Sequence, residues 1–197
     1  SEWEYDSWNR ITRIVYPDGE NLDYHYNLGG LLQSIEGTKD GATKSYITSI
    51  SYDEYEQRIQ EEYGNAVVNN YYYDNMRRLH KLNTFSQQTS DQLQHIAYNY
   101  DPVGNISSIE NNAMDTYTHE YGYDIDSRLV SDISSGTFID INLNPVSIAN
   151  NYSVSYSPSG KITNKTLQGQ NLENFGANPR DENYDYSYQG TNAQQMS

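Results

Sequence analysis

Four histidines are the first candidates for chemistry: His25, His80, His95 and His119. None is spaced as a helical i, i+4 pair or as a close His-x-His set, so a zinc site has no support in the spacing. There are no cysteines, which excludes disulfides and thiolate metal centres. Carboxylates are plentiful, and a pair such as Asp124 with Asp126, or Glu61 with Glu62, has the residue types for general acid–base work on a glycosidic bond. Nothing in the sequence places such a pair beside a catalytic partner, and these side chains are expected to keep a solvated face soluble. The stretch Asp124-Ile125-Asp126-Ser127-Arg128 opens like a calcium loop but lacks the glycine and distal glutamate such a loop needs, so it is expected to be a turn. There is no nucleophile elbow and no phosphate-binding glycine loop. No cofactor, metal or catalytic residue is expected.

The charge balance narrows the partners. Lys and Arg number 12 against 27 Asp and Glu, a formal charge of −15. Nucleic acid and anionic membrane surfaces need clustered cations and are disfavoured. No run approaches the length of a bilayer-spanning helix. Ser1 leads directly into Trp3 and Tyr5, so no leader peptide is read at the start. Ile, Leu, Val and Phe make up only about 18 % of 197 residues, which is within the range of disordered chains. Against that stand 21 tyrosines, each a ring that buries large area while its hydroxyl stays bonded or wet.

Those tyrosines alternate. Leu22, Tyr24 and Tyr26 share one side of an extended chain, and so do Ile96, Tyr98 and Tyr100. Further runs are Tyr117, Tyr121 and Tyr123, then Tyr152, Val154 and Tyr156, then Tyr184, Tyr186 and Tyr188. Period two with Tyr, Val and Ile marks strands with one buried face. His119 shares the side of Tyr117 and Tyr121 and is expected to be partly buried; His25 and His95 fall on the other side. Turn signals separate the runs: Pro17-Asp18-Gly19, Gly29-Gly30, Gly64-Asn65, Asp101-Pro102 with Gly104-Asn105, and Ser157-Pro158-Ser159-Gly160. The predicted class is all-β, built of tandem antiparallel hairpins.

The strand-ending tyrosine opens a repeating unit: Tyr, Asp or Asn, a turn, often a basic residue or Asn, then an apolar strand start. Four copies are clear. They are Tyr5-Asp6-Ser7-Trp8-Asn9-Arg10-Ile11, Tyr26-Asn27-Leu28-Gly29-Gly30-Leu31-Leu32, Tyr73-Asp74-Asn75-Met76-Arg77-Arg78-Leu79 and Tyr100-Asp101-Pro102-Val103-Gly104-Asn105-Ile106. Nine residues after each tyrosine stands Ile14, Ile35, Leu82 or Ile109. Three copies are looser. The unit from Tyr52-Asp53 carries one extra residue before its apolar Ile59. The unit from Tyr123-Asp124 to Arg128-Leu129 has Asp132 at the ninth position. The unit from Tyr156 to Gly160-Lys161-Ile162 has Ser157 for Asp and Lys165 at the ninth position. The tyrosines step by 21, 26, 21, 27, 23 and 33 residues, so each unit is two strands and two turns, more irregular from about residue 132. Asp or Asn bonds its own backbone to start the turn. Gly or Asn takes the left-handed position. The basic residue pairs with Asp for roughly 0.2–1 kcal/mol if exposed. One hairpin is marginal alone, and hairpins laid side by side bury a continuous face.

This tandem Tyr-Asp pattern resembles the RHS/YD-repeat family of wall-associated proteins, polymorphic toxins, toxin-complex shell subunits and teneurins, over about Tyr5 to Tyr188. The resemblance implies a curved or spiralling repeat sheet, a fragment of a larger hollow shell. It implies a non-catalytic structural role: the shell encloses or displays another domain, in toxin members a toxic one. Partners are then other repeats of the parent chain or the enclosed domain, in a secreted or cell-wall-associated, bacterial setting. Family shells use longer arrays, and toxin members carry a self-cleaving core segment absent from this sequence, so self-cleavage is not carried over. The residues 1–197 are expected to be one repeat domain whose open edge strands lead it either to self-associate or to fold into a strongly curled sheet. An alternative is an adhesin module that binds glycans through exposed Tyr and Asn.

Overall fold

The computed structural model describes residues 1–113, 116–139, 144–170 and 182–185. Among them every regular element is a β-strand and none is a helix. The chain divides into two units, Ser1–His95 and Ile96–Ser197. The first holds β1 (Glu2–Tyr5), β2 (Ile11–Val15), β3 (Asn21–Tyr26), β4 (Leu32–Lys39), β5 (Ala42–Tyr52), β6 (Arg58–Tyr63), β7 (Val67–Tyr73) and β8 (Leu79–Ser86). β9 (Gln92–Tyr100) starts in the first unit and ends in the second. The second adds β10 (Ile106–Asn112), β11 (Thr116–Tyr123), β12 (Leu129–Ile139), β13 (Pro145–Tyr156), β14 (Ile162–Gln170) and β15 (Glu182–Asp185). Strand order is chain order, and the pairing is antiparallel from β1 to β8 and from β9 to β15. Tyr184 lies on β15, whereas Tyr186 and Tyr188 lie outside the described residues.

Within each unit, the strands of the described residues touch only their sequence neighbours. Burial therefore comes from side chains lying along the sheet rather than from a second layer. Paired residues in an antiparallel ladder share a face, and the register puts Ile14, Ile50, Ile96, Val146 and Val154 on the same face as the unit tyrosines. These five are buried, while most of the rings around them stay half-buried. Val68 is the exception: it is fully buried on the opposite face, paired with Glu62 and Phe85.

The seven unit tyrosines end β1, β3, β5, β7, β9, β11 and β13, and the residue six further on opens the next strand. In every unit the tyrosine pairs with that residue, as in Tyr5 with Ile11 and Tyr156 with Ile162, and the register then slips by one. The slip is a β-bulge at the seventh position. It resolves an awkward spacing. The sixth and ninth positions are three apart, which in an unbroken strand would put them on opposite faces. The bulge returns both to the tyrosine face.

The same register corrects the Tyr52 unit. It has no extra residue: Tyr52 pairs with Arg58, the same offset as elsewhere, and Ile59 is the bulge residue. The ninth position is then Glu61, on the tyrosine face opposite Ile50.

Candidate functional site

The recurring geometry is a ladder of tyrosine, aspartate and arginine that ties neighbouring hairpins together within each of the two units. It begins in the turn. Asp6, Asn27, Asp53, Asp74, Asp101, Asp124 and Ser157 each donate a backbone N–H to the carbonyl four residues on, at 2.8–3.0 Å. Their own carbonyls accept the N–H three residues on, at 2.9–3.2 Å. That residue is left-handed in all seven units, with φ between 57° and 100°. The combination is a type I turn closed by a left-handed bulge residue. The expectation that Gly or Asn would hold this position is met at Asn9, Gly30, Gly104 and Gly160; Glu56, Arg77 and Ser127 hold it in the other three units.

The aspartate side chain explains how those three are tolerated. Asp74 Oδ1 accepts the backbone N–H groups of Met76 (2.8 Å) and Arg78 (2.9 Å). Its Oδ2 accepts Arg78 Nε and Nη2, at 2.8 and 2.7 Å. Asp6 with Arg10 and Asp124 with Arg128 repeat the pattern. These donors, the backbone N–H of the arginine foremost, hold the carboxyls of Asp6, Asp74 and Asp124 below the ordinary value of 3.8. In the Tyr100 unit Asn105 Nδ2 replaces the guanidinium on Asp101 Oδ2, at 2.9 Å. Ser157 keeps one equivalent bond, from Lys161 N–H at 3.1 Å.

The next rung is the tyrosine of the following unit. Arg10 lies 4.2 Å over the Tyr26 ring and Arg128 lies 4.8 Å over the Tyr156 ring. The hydroxyl of that tyrosine reaches back to the carbonyl of the strand-opening residue in the preceding unit. Tyr26 donates to Ile11, Tyr52 to Leu32, Tyr73 to Arg58, Tyr123 to Ile106 and Tyr156 to Leu129, all at 2.7–2.9 Å. That bond is why the position is Tyr and not Phe, and the sequence pattern did not reveal it. The fifth position also reaches the next turn. Gln57 Nε2 donates to the Arg77 carbonyl at 2.9 Å, and Asn105 Nδ2 lies 3.3 Å from Ser127 Oγ. Gly104 and Gly160 thus sit in the turns of this ladder and not in any phosphate loop.

The ninth position lies on the tyrosine face whether or not it is apolar. Ile14, Ile35, Leu82 and Ile109 occupy it in the clear copies. The three polar occupants each have a partner. Glu61 is only 4 % exposed, which overturns its assignment to a solvated face. Its carboxylate accepts the hydroxyls of Tyr63 (2.9 Å) and Tyr71 (3.1 Å), with Arg58 at 3.6 Å. Asn69 and Thr84 extend the network to Gln94. Burial and the Glu61 carboxylate push the Tyr63 hydroxyl up to about 12. Asp132 meets His119 Nδ1 at 2.9 Å, and Lys165 lies 5.4 Å over the Tyr152 ring. His119 stacks on Tyr121 and meets Tyr117 edge-on, half-buried on the tyrosine face as expected.

What this arrangement can do is mechanical. Among the described residues no three His, Asp or Glu side chains converge as metal ligands. Asp124 is engaged by its own turn and by Arg128, and Asp126 meets the same guanidinium at 3.2 Å.

No protein-family model matches the chain. Curated relatives include two toxin subunits of Yersinia entomophaga. YenC1 is 33% identical over 99 residues, 46% of this chain and 10% of the relative. YenC2 is 36% identical over 117 residues, 56% of this chain and 12% of the relative. The chain spans about a tenth of the length of these relatives. Among solved structures, TcdB2-TccC3-Cdc42 superposes with a TM-score of 0.81 at 22% identity, over 94% of this chain and 10% of that one. The Tc holotoxin pore of Photorhabdus luminescens superposes with a TM-score of 0.54 at 19% identity, over 94% of this chain and 12% of that one. The likeness to these structures is one of fold. The resemblance to RHS/YD-repeat proteins drawn from the Tyr-Asp units is borne out.

Proposed function

From this likeness to toxin-complex subunits, we propose that the chain is a stretch of shell wall in a secreted bacterial RHS/YD-repeat protein. Its role is structural and non-catalytic: a hydrogen-bonded sheet that encloses another domain, a toxin in this reading. The observation that carries the proposal is the ladder. Each unit's chemistry is directed at the next unit, through Arg10 and Tyr26 or Arg128 and Tyr156, and not at a cleft. A device of this kind extends a wall by repetition, with stability built from nearest-neighbour terms.

The test is to express the full open reading frame that carries this segment and image it by negative-stain electron microscopy, with limited proteolysis in parallel. A hollow particle with a protease-protected domain is expected. A solid or extended particle whose remaining domains are all cleaved would overturn the reading. Glycan adhesion is the competing function, favoured by the half-exposed rings of Tyr5, Tyr55 and Tyr72. Specific hits on a glycan array that vanish in Tyr55→Ala and Tyr72→Ala would select it.

A further inference from the structure

The ladder lacks its donor at one rung. Four turn aspartates meet, at Oδ2, a side-chain donor from the fifth position. They are Asp6 with Arg10, Asp74 with Arg78, Asp124 with Arg128, and Asp101 with Asn105 Nδ2. Asp53 completes the series. Its Oδ1 accepts the N–H groups of Tyr55 and Gln57, both at 2.9 Å, so the turn itself is built like the others. Its fifth position is Gln57, whose Nε2 is engaged with the Arg77 carbonyl at 2.9 Å. Gln57 Oε1 is buried and has no hydrogen-bond partner. Among the described residues no side-chain donor meets Asp53 Oδ2 and no cation pairs with its carboxylate. This fifth position therefore gives Asp53 nothing and leaves an acceptor of its own without a donor.

An open cavity of about 530 Å³ lies at this rung, within the first unit, and Asp53, Tyr55, Gln57, Tyr72, Tyr73 and Arg77 help to line it. Two of these walls match the pair that holds a guanidinium elsewhere. Arg10 pairs with Asp6 and lies 4.2 Å over the Tyr26 ring, and Arg128 pairs with Asp124 and lies 4.8 Å over the Tyr156 ring. The corresponding walls here are Asp53 and Tyr73. They are close neighbours: burial, and then the Asp53 charge, raise the Tyr73 hydroxyl. The cations around the cavity are engaged elsewhere. The Arg77 guanidinium lies 3.5 Å over the Tyr55 ring, Arg58 is 3.6 Å from Glu61, and Arg78 pairs with Asp74.

We infer that this cavity is a binding site for the guanidinium of an arginine presented by another polypeptide segment, which takes the place that Arg10 and Arg128 hold in their own units. The chemistry selects arginine. A carboxylate beside an aromatic face suits a flat cation that stacks on the ring and donates from its edge. A guanidinium carries five N–H donors, enough to serve Asp53 Oδ2 and a further acceptor on the wall. An ammonium can pair with the carboxylate but cannot stack. The net charge of −15 draws basic segments toward the chain and repels acidic ones. The inference needs the geometry of one rung and is independent of the shell reading.

The test is a titration of the 15N-labelled chain with N-acetyl-arginine amide at constant ionic strength. It is followed at the backbone amides of Tyr55 and Gln57, whose N–H groups are bonded to Asp53. A saturable shift in the millimolar range is expected, as suits one exposed charge pair. N-acetyl-citrulline amide has nearly the same shape without the charge and should bind about fivefold more weakly or worse. Asp53→Asn keeps an acceptor for the two N–H groups and should weaken binding about threefold or more. Gln57→Arg supplies the guanidinium from within and should abolish the response. Dispersed amide spectra show that each variant is folded, and should Asp53→Asn fail to fold, Gln57→Arg decides alone. The absence of a saturable shift at these amides overturns the inference, as does undiminished binding in Gln57→Arg. Equal affinity for citrulline or for N-acetyl-lysine amide removes the guanidinium from the assignment. Tighter binding of free arginine than of the blocked form makes the ligand a small molecule, against the polypeptide partner. A neutral methyl glycoside that shifts the same amides where arginine does not hands the site to the glycan reading.

Discussion

At the scale of single residues, the hydroxyl of the unit tyrosine is the feature with the clearest energetic consequence. Tyr73→Phe keeps the ring and removes one bond, leaving the Arg58 carbonyl without that donor. The expected cost is about 1 kcal/mol, read as a lower denaturation midpoint in urea. Tyr5→Phe is the matched control, since its ring is half-exposed, and it should stay within about 0.5 kcal/mol. Glu61→Ala is harsher. It strands the Tyr63 and Tyr71 hydroxyls around a buried gap and should cost about 2 kcal/mol or more by the same measurement. These groups also set a pH limit. Burial raises the hydroxyls of Tyr52, Tyr73 and Tyr123, and burial together with Glu61 takes Tyr63 from 10.0 to about 12. The folded chain therefore keeps protons that the unfolded chain releases. The associated stability is complete below pH 10 and is lost as pH rises from there toward 12. Circular dichroism across that window, beside tyrosinate absorbance, checks it: ionisation without loss of sheet signal would contradict the assignment.

At the scale of the turn, the left-handed residue and the aspartate work against each other in energy. A non-glycine residue in that conformation costs roughly 1–2 kcal/mol, and the bonds to the aspartate carboxylate offset it. Glu56 stands at φ 64° with an exposed side chain, so Glu56→Gly should stabilise the chain by about 0.5–1 kcal/mol, seen as a higher melting temperature. The carboxyls of Asp6, Asp74 and Asp124 are depressed in the folded state, so their contribution is present above pH 3.8 and lost as pH falls below it. Much of this element was legible, because Tyr-Asp pairs recur at the ends of alternating runs and only strands alternate that way. Apolar character misplaces the strand start of the Tyr52 unit, because the turn counts backbone bonds and Arg58 satisfies them as well as Leu79 does. Asp40-Gly41 is a hairpin signal outside the Tyr-Asp pattern; its φ values of 50° and 80° join β4 to β5 through a two-residue turn. The buried state of Glu61 was illegible, because nothing local to it announces that Tyr71, ten residues away, will donate to it.

At the scale of the whole molecule, strands pair in chain order, so in the isolated 197-residue chain β1 pairs with β2 alone. An open edge is a template for another strand. Here all four residues of β1 are exposed, and Glu2 and Glu4 flank Trp3. In the isolated chain these carboxylates guard the β1 edge, backed by a net charge of −15. That guard is electrostatic and so depends on salt. Raising ionic strength from about 0.1 M to 1 M shortens the screening length from roughly 10 Å to 3 Å. The expected result in sedimentation velocity is a chain that is mostly monomeric in low salt and associates in high salt. Screening also weakens repulsion everywhere else, so the edge must be tested directly. Glu2→Thr with Glu4→Thr removes the local guard while changing the total charge little, and should bring association into low salt. Trp3→Lys adds an unfavourable charge to the same edge and should suppress association in high salt. If neither variant moves the association curve, the contact lies away from β1, and the acidic edge residues serve solubility alone.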